Sequence, residues 1–135
     1  LALTMLAVVL FEVMIEPINN RDIPGYYLNY SAQAVSLLDE IGAPNVRLQY
    51  DIYHMQIMEG DVIRTIRNNI EWIAHFHTAG NPGRHEMDDT QEMHYKGIAK
   101  AIADLPGFQG YVAHEYSPLR DPVKSLEETL TLFEV

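Results

Sequence analysis

The sequence contains no cysteine, and its basic residues are few. The lack of cysteine excludes disulfides, thiolate metal sites and a cysteine nucleophile. Because it also fits a reducing compartment, we expect a cytoplasmic protein. Only 9 of the 135 residues are Lys or Arg, against 19 Asp or Glu, which gives a net charge of −10. Proteins that bind nucleic acids present dense basic faces to the phosphate backbone. We therefore expect no nucleic-acid partner, although a local arginine or a metal can still receive a small anion.

No apolar run is long enough to cross a membrane. The most apolar stretch, LALTMLAVVLFEVMI, is interrupted by Glu12, well short of the ~20 residues that a span needs. The first basic residue is Arg21, whereas a secretory signal begins with basic residues. We predict a buried helix end followed by a buried strand here, and no membrane association. Because the chain begins at Leu1 and ends inside a helical pattern at Val135, we expect a fragment.

The periodicity of apolar residues predicts four units in which a strand precedes a helix. The predicted strands are VLFEVMIE, NVRLQYD, WIAHFHTA and YVAHEY, and the predicted helices are SAQAVSLLDEIG, GDVIRTIRNN, YKGIAKAIADL and DPVKSLEETLTLF. In the last helix, Val123, Leu126, Leu130 and Phe133 form an apolar stripe. Strands that alternate with helices indicate a parallel sheet with right-handed crossovers. No change in composition marks a linker, so we expect residues 1–135 to form a single, partial domain.

The faces of the predicted strands distinguish between two architectures. In WIAHFHTA, alternation places Phe76 on an apolar face and groups Ile73 with His75 and His77 on the other. Strands of an open doubly wound sheet are buried on both faces and read as continuous apolar runs. A barrel instead gives its strands two different environments. The pattern therefore favours a (β/α)8 barrel, and since a whole barrel takes ~250 residues, we expect half of one.

An acidic or histidine side chain ends each predicted strand on its polar face. These residues are Glu16, Asp51, His77 and Glu115, separated by 35, 26 and 38 residues, near the ~30 residues of a βα unit. All three residue types bind divalent cations, and in a barrel the strand ends converge at one mouth. A single acidic residue at a strand end more often caps a helix or forms hydrogen bonds within a loop. Four such residues together predict a metal site.

The motifs around these residues resemble a known family. The segments IEPINNRDIPGYYL, QYDIYHMQ, HFHTAGNPGRHE and HEYSP are similar to the C-terminal half of the hydroxypyruvate isomerases. Those enzymes belong to the xylose-isomerase-like TIM barrels, together with the ketose 3-epimerases and 2-oxo-tetronate isomerases. The resemblance covers about residues 12 to 134 and implies the C-terminal half of a (β/α)8 TIM barrel. Many hydroxypyruvate isomerases have Gln at the position of His77, whereas the epimerases have His.

The resemblance also implies roles for the residues at the strand ends. Glu16, Asp51, His77 and Glu115 would hold a divalent metal ion, and Mg²⁺ or Mn²⁺ is the expected ion. Glu16 and Glu115 would also act as the catalytic base and acid, because two carboxylates that flank a substrate can remove and return a proton. Asp51 and His77 would be ligands only.

Two further residues are candidates for substrate binding. His54 lies three residues beyond Asp51 and can donate a hydrogen bond to substrate oxygens; the alternative is a surface histidine on a loop. Arg84, in GNPGRHE, carries a planar fork that suits a substrate carboxylate; the alternative is a solvated loop arginine. We expect His75 to be structural and Glu86 to be a solvated loop acid. The alternative for Glu86 is a carboxylate that hydrogen-bonds a metal ligand from behind.

The expected function is a metal-dependent isomerase that interconverts hydroxypyruvate and tartronate semialdehyde (2-hydroxy-3-oxopropanoate) through an enediolate. The nearest alternative keeps the mechanism on a 2-oxo-tetronate or an epimerised ketose, so the expected partner is a small hydroxy-oxo acid or sugar. A zinc-dependent DNA-repair endonuclease on the same barrel also uses an Asp-x-x-His motif. That enzyme needs a further Asp-x-His pair of zinc ligands. At the corresponding place this chain has Gly83 before RHE, so the aspartate of the pair is missing. A non-catalytic barrel fragment is the third class, and the sequence is compatible with a homo-oligomer.

Overall fold

Strands and helices alternate along the chain in a computed structural model that describes residues 11–135. The strands are β1 (Val13–Ile15), β2 (Val46–Asp51), β3 (Ile73–Thr78) and β4 (Tyr111–His114). The helices are α1 (Ser31–Ile41), α2 (Ile52–Met58), α3 (Val62–Asn69), α4 (Tyr95–Ala103) and α5 (Pro122–Leu132). Each strand is followed by at least one helix, as the periodicity predicts. The predicted buried helix end near the N-terminus lies outside the described residues.

The four strands form one parallel sheet in the order β1-β2-β3-β4. Its register places Asp51 beside His77 and Thr78 beside His114. The carboxyl ends of neighbouring strands therefore lie close to one level, and the residues that end them meet at one edge of the sheet. The predicted α/β class and the parallel sheet are confirmed. The four units correspond to half of the eight units of a (β/α)8 barrel.

The core lies between one face of the sheet and the helices. Leu48, Tyr50 and Phe76 are completely buried, and the rings of Tyr50 and Phe76 meet edge to face with 6.2 Å between their centroids. Such pairs add to the free energy gained from burying apolar area. The helices contribute apolar residues to the same cluster, among them Ala34, Leu38, Ile66, Ile98 and Ile102.

A bulge changes the faces of β3. Leu48 pairs with Ile73, but the next residue, Gln49, pairs with His75 and not with Ala74. An unpaired residue of this kind reverses the alternation of side chains. Ile73 therefore turns to the core, where it is buried. The prediction that Ile73 shares the polar face with the histidines is wrong, because alternation in β3 is broken at Ala74.

The helix α2 is an element that the sequence pattern did not predict. It begins directly after β2, and Asp51 is its N-cap: the Oδ1 atom accepts hydrogen bonds from the backbone N–H groups of Tyr53, at 2.8 Å, and His54, at 3.3 Å. Aspartate is a favoured N-cap residue because its carboxylate satisfies N–H groups that have no partner within the helix. The segment between β2 and the predicted helix GDVIRTIRNN is therefore helical as well.

The strand β1 is less buried than the sequence predicts. Val13 is 51% exposed and Met14 is 39% exposed. Among residues 11–135, β1 is one of the two edge strands of the sheet and pairs only with β2. Its position at the edge leaves these apolar side chains accessible.

Most of the apolar stripe of α5 faces away from the core, whereas Phe133, directly after the helix, packs against the core. Val123 is 67% exposed and Leu130 is 51% exposed, whereas Ser125 and Thr129 are buried. The hydroxyl of Tyr116 lies 2.7 Å from Ser125 Oγ and 3.2 Å from Thr129 Oγ1. The buried face of α5 is therefore polar, and hydrogen bonds satisfy its hydroxyl groups.

Candidate functional site

The four predicted ligand residues meet at the carboxyl edge of the sheet. Glu16 follows β1, Asp51 ends β2, His77 lies near the end of β3, and Glu115 directly follows β4. Each offers one oxygen or nitrogen atom, and these four atoms all lie within 4.8 Å of one another. The residues come together because parallel strands that share a register present their carboxyl ends to the same space. We call this group the strand-end cluster.

The donor atoms of the strand-end cluster suit a divalent cation. Three carboxylates and one imidazole are ligands that Mg²⁺, Mn²⁺ and Zn²⁺ accept. The Oε1 atom of Glu16 is buried and has no hydrogen-bond partner within residues 11–135. A buried oxygen without a partner is costly, and a cation beside it would remove this cost. The residues present therefore fit a metal ion.

Charge interactions tie the imidazole of His77 to two carboxylates. Its Nδ1 atom lies 2.9 Å from Glu115 Oε2 and 3.7 Å from Glu16 Oε1. Interaction with Glu16, followed by Glu115, raises the pKa of His77. Burial opposes ionisation of Glu16, but the proximity of His77 outweighs it, so the pKa of Glu16 lies below its ordinary value.

The two oxygens of Asp51 serve different purposes. Oδ1 caps α2, while Oδ2 lies 3.3 Å from Nη2 of Arg84 and 3.5 Å from Nε2 of His54. Asp51 is 1% exposed, and this burial raises the pKa of its carboxyl despite the nearby His54 and Arg84. The aspartate is thus both the helix cap and a member of the strand-end cluster.

His54 is a buried helical residue and not a surface histidine on a loop. It lies on α2 and is 1% exposed. Its Nε2 atom faces Asp51, and its Nδ1 atom lies 2.7 Å from Nδ2 of Asn19. Burial lowers the pKa of the His54 imidazole, which favours the neutral ring.

Arg84 reaches the strand-end cluster from the loop between β3 and α4. Its Nη2 atom lies 2.7 Å from Glu115 Oε2, and its guanidinium carbon lies 5.4 Å from the centre of the Tyr53 ring, within the range of a cation–π contact. Its backbone has a φ of 60°, which is uncommon for a residue with a side chain. The alternative of a solvated loop arginine is therefore wrong.

Glu86 fixes the loop that carries Arg84. Its carboxylate is 5% exposed and accepts hydrogen bonds from the N–H groups of Leu119, at 3.0 Å, and Arg120, at 3.1 Å, and from Ser125 Oγ, at 3.3 Å. Burial opposes ionisation, but the backbone N–H groups outweigh it and lower the pKa of Glu86 to about 2. The expectation of a solvated loop acid is wrong, because this carboxylate joins the loop to the segment after β4.

Sequence reasoning also missed a buried network beside His54. Asn19 is completely buried, and its amide bonds to Asp22 as well as His54. The hydroxyl of Tyr53 donates to the Oδ2 atom of Asp22 at 2.7 Å. The run Asn-Asn-Arg-Asp is a turn signal, but nothing in the local pattern indicates that the turn packs against a histidine 35 residues away.

Two clefts compete as binding sites. The larger, about 480 Å³, lies at the amino ends of the strands beside Arg47 and Phe108 and contains no member of the strand-end cluster. A second, about 420 Å³, is lined by Asp22, Tyr53 and Asn81 at the carboxyl side and likewise contains no member of the strand-end cluster. We place the functional site at the carboxyl side because the catalytic groups of such barrels lie there.

Within residues 11–135, no helix has the length and apolar character needed to cross a bilayer.

Comparison with known proteins identifies the family. The model of the xylose isomerase-like TIM barrel family matches residues 8–134. The 2-oxo-tetronate isomerase of Cupriavidus necator and the hydroxypyruvate isomerase of Escherichia coli are each 42% identical to this chain over 106 residues. These matches cover 78% of this chain and 40% of either relative, so the chain spans about two fifths of their length.

Solved structures agree with the family match. The crystal structure of AP endonuclease, family 2, from Brucella melitensis superposes with a TM-score of 0.82 at 34% identity, covering 88% of this chain and 45% of that one. The structure of 3-keto-D-glucoside 4-epimerase from Escherichia coli gives a TM-score of 0.77 at 24% identity over 90% of this chain and 44% of that one, which shows the fold alone. The chain belongs to the xylose isomerase-like TIM barrel family.

Proposed function

We propose that this chain supplies the metal-binding and proton-transferring residues of an isomerase that interconverts hydroxypyruvate and 2-hydroxy-3-oxopropanoate. The observation that carries the proposal is the strand-end cluster, whose ligand atoms lie within 4.8 Å of one another and beside the guanidinium of Arg84. The 42% identity to the hydroxypyruvate isomerase of Escherichia coli supports this choice of reaction.

The four residues of the strand-end cluster would hold the cation, and Mg²⁺ or Mn²⁺ is the ion we propose. A divalent ion bound to the substrate oxygens would stabilise negative charge that develops on them. The carboxylates suit a hard cation, and His77 adds one nitrogen ligand that Mn²⁺ also accepts.

Glu16 and Glu115 are the groups placed to move protons. The isomerisation removes a proton from C3 of hydroxypyruvate and delivers a proton to C2, while the hydroxyl proton passes from the oxygen on C3 to the oxygen on C2. The two carboxylates approach the same nitrogen of His77, at 3.7 and 2.9 Å, so both can face one small substrate. We propose one as the base for the C3 proton and the other as the acid at C2.

Arg84 is the proposed receptor for the substrate carboxylate. Its Nη2 atom is occupied by Asp51 and Glu115, but the Arg84 side chain is still 31% exposed. A guanidinium offers five N–H donors, so donors remain for a further carboxylate. A neutral ketose would leave this capacity unused, which favours an acid substrate.

The nearest alternative is a larger acid substrate, a 2-oxo-tetronate. The 2-oxo-tetronate isomerase of Cupriavidus necator and the hydroxypyruvate isomerase of Escherichia coli have the same 42% identity to this chain. Both substrates present a carboxylate next to a carbonyl, so the residues described here would serve either. A ketose 3-epimerase would use the same strand-end cluster without a substrate carboxylate.

A three-zinc endonuclease is less well supported. Such a centre needs additional histidine ligands, and His85 is the histidine nearest to the expected place in the sequence. Its Nδ1 atom lies 2.7 Å from the backbone carbonyl oxygen of Ser117, and His85 is not in the strand-end cluster. The net charge of −10 also opposes binding to a phosphate backbone.

Solvent exchange tests the proposal directly. The complete protein is incubated with hydroxypyruvate in deuterium oxide, with Mg²⁺ or Mn²⁺, and the C3 protons are followed by NMR. We expect exchange and formation of the aldehyde, both abolished by EDTA and restored by the metal. Parallel samples contain a 2-oxo-tetronate, a neutral ketose or DNA with an abasic site. Reaction with the DNA alone would support the endonuclease, and no reaction with any substrate would support a non-catalytic protein.

A further inference from the structure

The orientation of the Asn19 amide follows from its contacts. Its Oδ1 atom accepts hydrogen bonds from the backbone N–H groups of Arg21, at 3.0 Å, and Asp22, at 2.8 Å. Only the oxygen of an amide can accept these bonds. The Nδ2 atom must therefore be the one that faces Asp22 Oδ2, at 2.9 Å, and His54 Nδ1, at 2.7 Å.

This orientation determines which nitrogen of His54 carries a proton. The two hydrogens of the Asn19 Nδ2 atom point to Asp22 and to His54, and an amide nitrogen does not accept hydrogen bonds. The Nδ1 atom of His54 must then be the acceptor, because a proton there would set two donors against each other at 2.7 Å. A neutral imidazole carries one proton on its two ring nitrogens. Because Nδ1 is the acceptor, that proton lies on Nε2: the hydrogen bond of one nitrogen determines whether the other is protonated.

The Nε2 atom faces the functional site. It lies 3.5 Å from Oδ2 of Asp51, an oxygen that Arg84 also approaches. The other end of the network is fixed as well: Tyr53 donates to Asp22 Oδ2, and the hydrogen bond from Asn19 lowers the pKa of Asp22, which keeps that carboxylate an acceptor. Both hydrogens of the Asn19 amide therefore have assigned partners.

We propose that Asn19 fixes His54 as the tautomer with its proton on Nε2, so that His54 presents a hydrogen-bond donor to a substrate oxygen beside the strand-end cluster. The assignment of the tautomer rests on Asn19 alone, while the role toward substrate rests on the proposed function. Asn19 is a positioning residue because it acts through His54. A donor at this place stabilises charge on a substrate oxygen and cannot accept the C3 proton, which leaves that proton to the carboxylates.

NMR of the histidine rings reads the tautomer without substrate. The complete protein, labelled with ¹⁵N and saturated with Mg²⁺, is recorded by long-range ¹H–¹⁵N correlation, and His54→Gln identifies the signals of His54. We expect a protonated Nε2 and an unprotonated Nδ1 in the unaltered protein. A proton on Nδ1 and none on Nε2 would overturn the proposal, whether or not any variant folds.

An exchange of two side chains provides the matched variant. In Asn19→Asp/Asp22→Asn the net charge is unchanged and the two side chains can still bond, but residue 19 now faces His54 Nδ1 with an acceptor. We expect Nδ1 to gain a proton. The control is Asp22→Asn alone, which keeps Asn19 and should keep Nδ1 unprotonated. An unprotonated Nδ1 in the exchanged variant would contradict the assignment to Asn19.

Substrate binding separates this proposal from the proposed function. Hydroxypyruvate added to the unaltered protein should shift the Nε2–H signal of His54, because a substrate oxygen becomes its acceptor. A correct tautomer without such a shift would retain the role of Asn19 in fixing the ring. It would overturn the role of His54 toward this substrate.

Discussion

The Nη2 atom of Arg84 lies 2.7 Å from Oε2 of Glu115, and the same oxygen lies 2.9 Å from Nδ1 of His77. One carboxylate oxygen therefore joins the loop after β3 to the ends of β3 and β4. Hydrogen bonds between charged groups are shorter and stronger than neutral ones. This contact aligns the proposed proton carrier with the proposed receptor of the substrate carboxylate.

Loss of Glu16 should weaken metal binding. Glu16→Gln replaces a carboxylate whose Oε1 is buried without a partner within the described range by a neutral amide. Mutation of residues that only hydrogen-bond a metal ligand typically lowers metal affinity by about 10–100-fold. Because Glu16 is itself a proposed ligand, we expect its metal affinity to fall at least tenfold. Titration with Mn²⁺, followed by electron paramagnetic resonance, measures it. Glu12→Gln is the control, since Glu12 is exposed at the other end of β1, and equal affinities in the two variants would exclude Glu16 as a ligand.

Removal of the Glu115 carboxylate should stop proton exchange. Glu115→Gln keeps the shape of the side chain, but the amide cannot accept a proton from C3. General acid–base catalysis contributes about 10²–10⁴-fold, and we expect a loss of that size in the exchange of the C3 protons of hydroxypyruvate with deuterium oxide. Metal content is measured in parallel because the same change weakens a proposed ligand. A loss below about tenfold with full metal occupancy would assign the base to another residue.

Substitution of Arg84 should distinguish acid substrates from neutral sugars. Arg84→Met removes the charged donors and keeps much of the bulk. Hydrogen bonds to charged groups contribute roughly 1.5–3 kcal/mol, so kcat/KM for hydroxypyruvate should fall about ten- to more than a hundredfold. The loss should be larger for oxo acids than for uncharged ketoses, and Arg84→Lys should restore only part of it, because Lys lacks the planar fork. Equal losses on both substrate types would mean that Arg84 only orders its loop.

The buried carboxylate of Glu86 should stabilise the fold in a pH-dependent way. In Glu86→Gln the neutral amide loses the charge that strengthens the hydrogen bonds from the N–H groups of Leu119 and Arg120. Its Nε2 donor would also face the Leu119 N–H, which lies 3.2 Å from Oε2 of Glu86. We expect the free energy of unfolding to fall by about 1–3 kcal/mol at pH 7, measured by urea denaturation of the complete protein. Asp89→Asn removes the same charge from an exposed position in the same loop and should change stability by less than about 0.5 kcal/mol.

The sign of the pH dependence follows from the lowered pKa of Glu86. A carboxyl with a pKa of about 2 in the folded protein and about 4.3 in the unfolded chain stabilises the fold fully above pH ~4.3. That contribution is lost as the pH falls toward 2. The difference in stability between the unaltered protein and Glu86→Gln should therefore shrink between pH 5 and pH 2–3. A constant difference over this interval would assign the effect to packing and not to the charge.

The sequence by itself determined the alternation of strands and helices and the four residues of the strand-end cluster. Both depend on local patterns: the periods of apolar residues identify strands and helices, and parallel strands present their ends on one side. Thus Glu16, Asp51, His77 and Glu115 could be selected from the residues that end four short segments, and the structure brings their ligand atoms within 4.8 Å.

Only the tertiary structure decided the groups that surround the cluster. Asn19 contacts His54 across 35 residues, and Glu86 contacts Leu119 across 33. No hydrophobic periodicity and no capping motif in the sequence indicates either contact, because both depend on how distant segments pack against each other. The bulge at Ala74 likewise becomes visible only in the pairing of β2 with β3. Local interactions fix which residues end the strands, whereas packing between distant segments fixes the orientation and tautomer of the side chains around them.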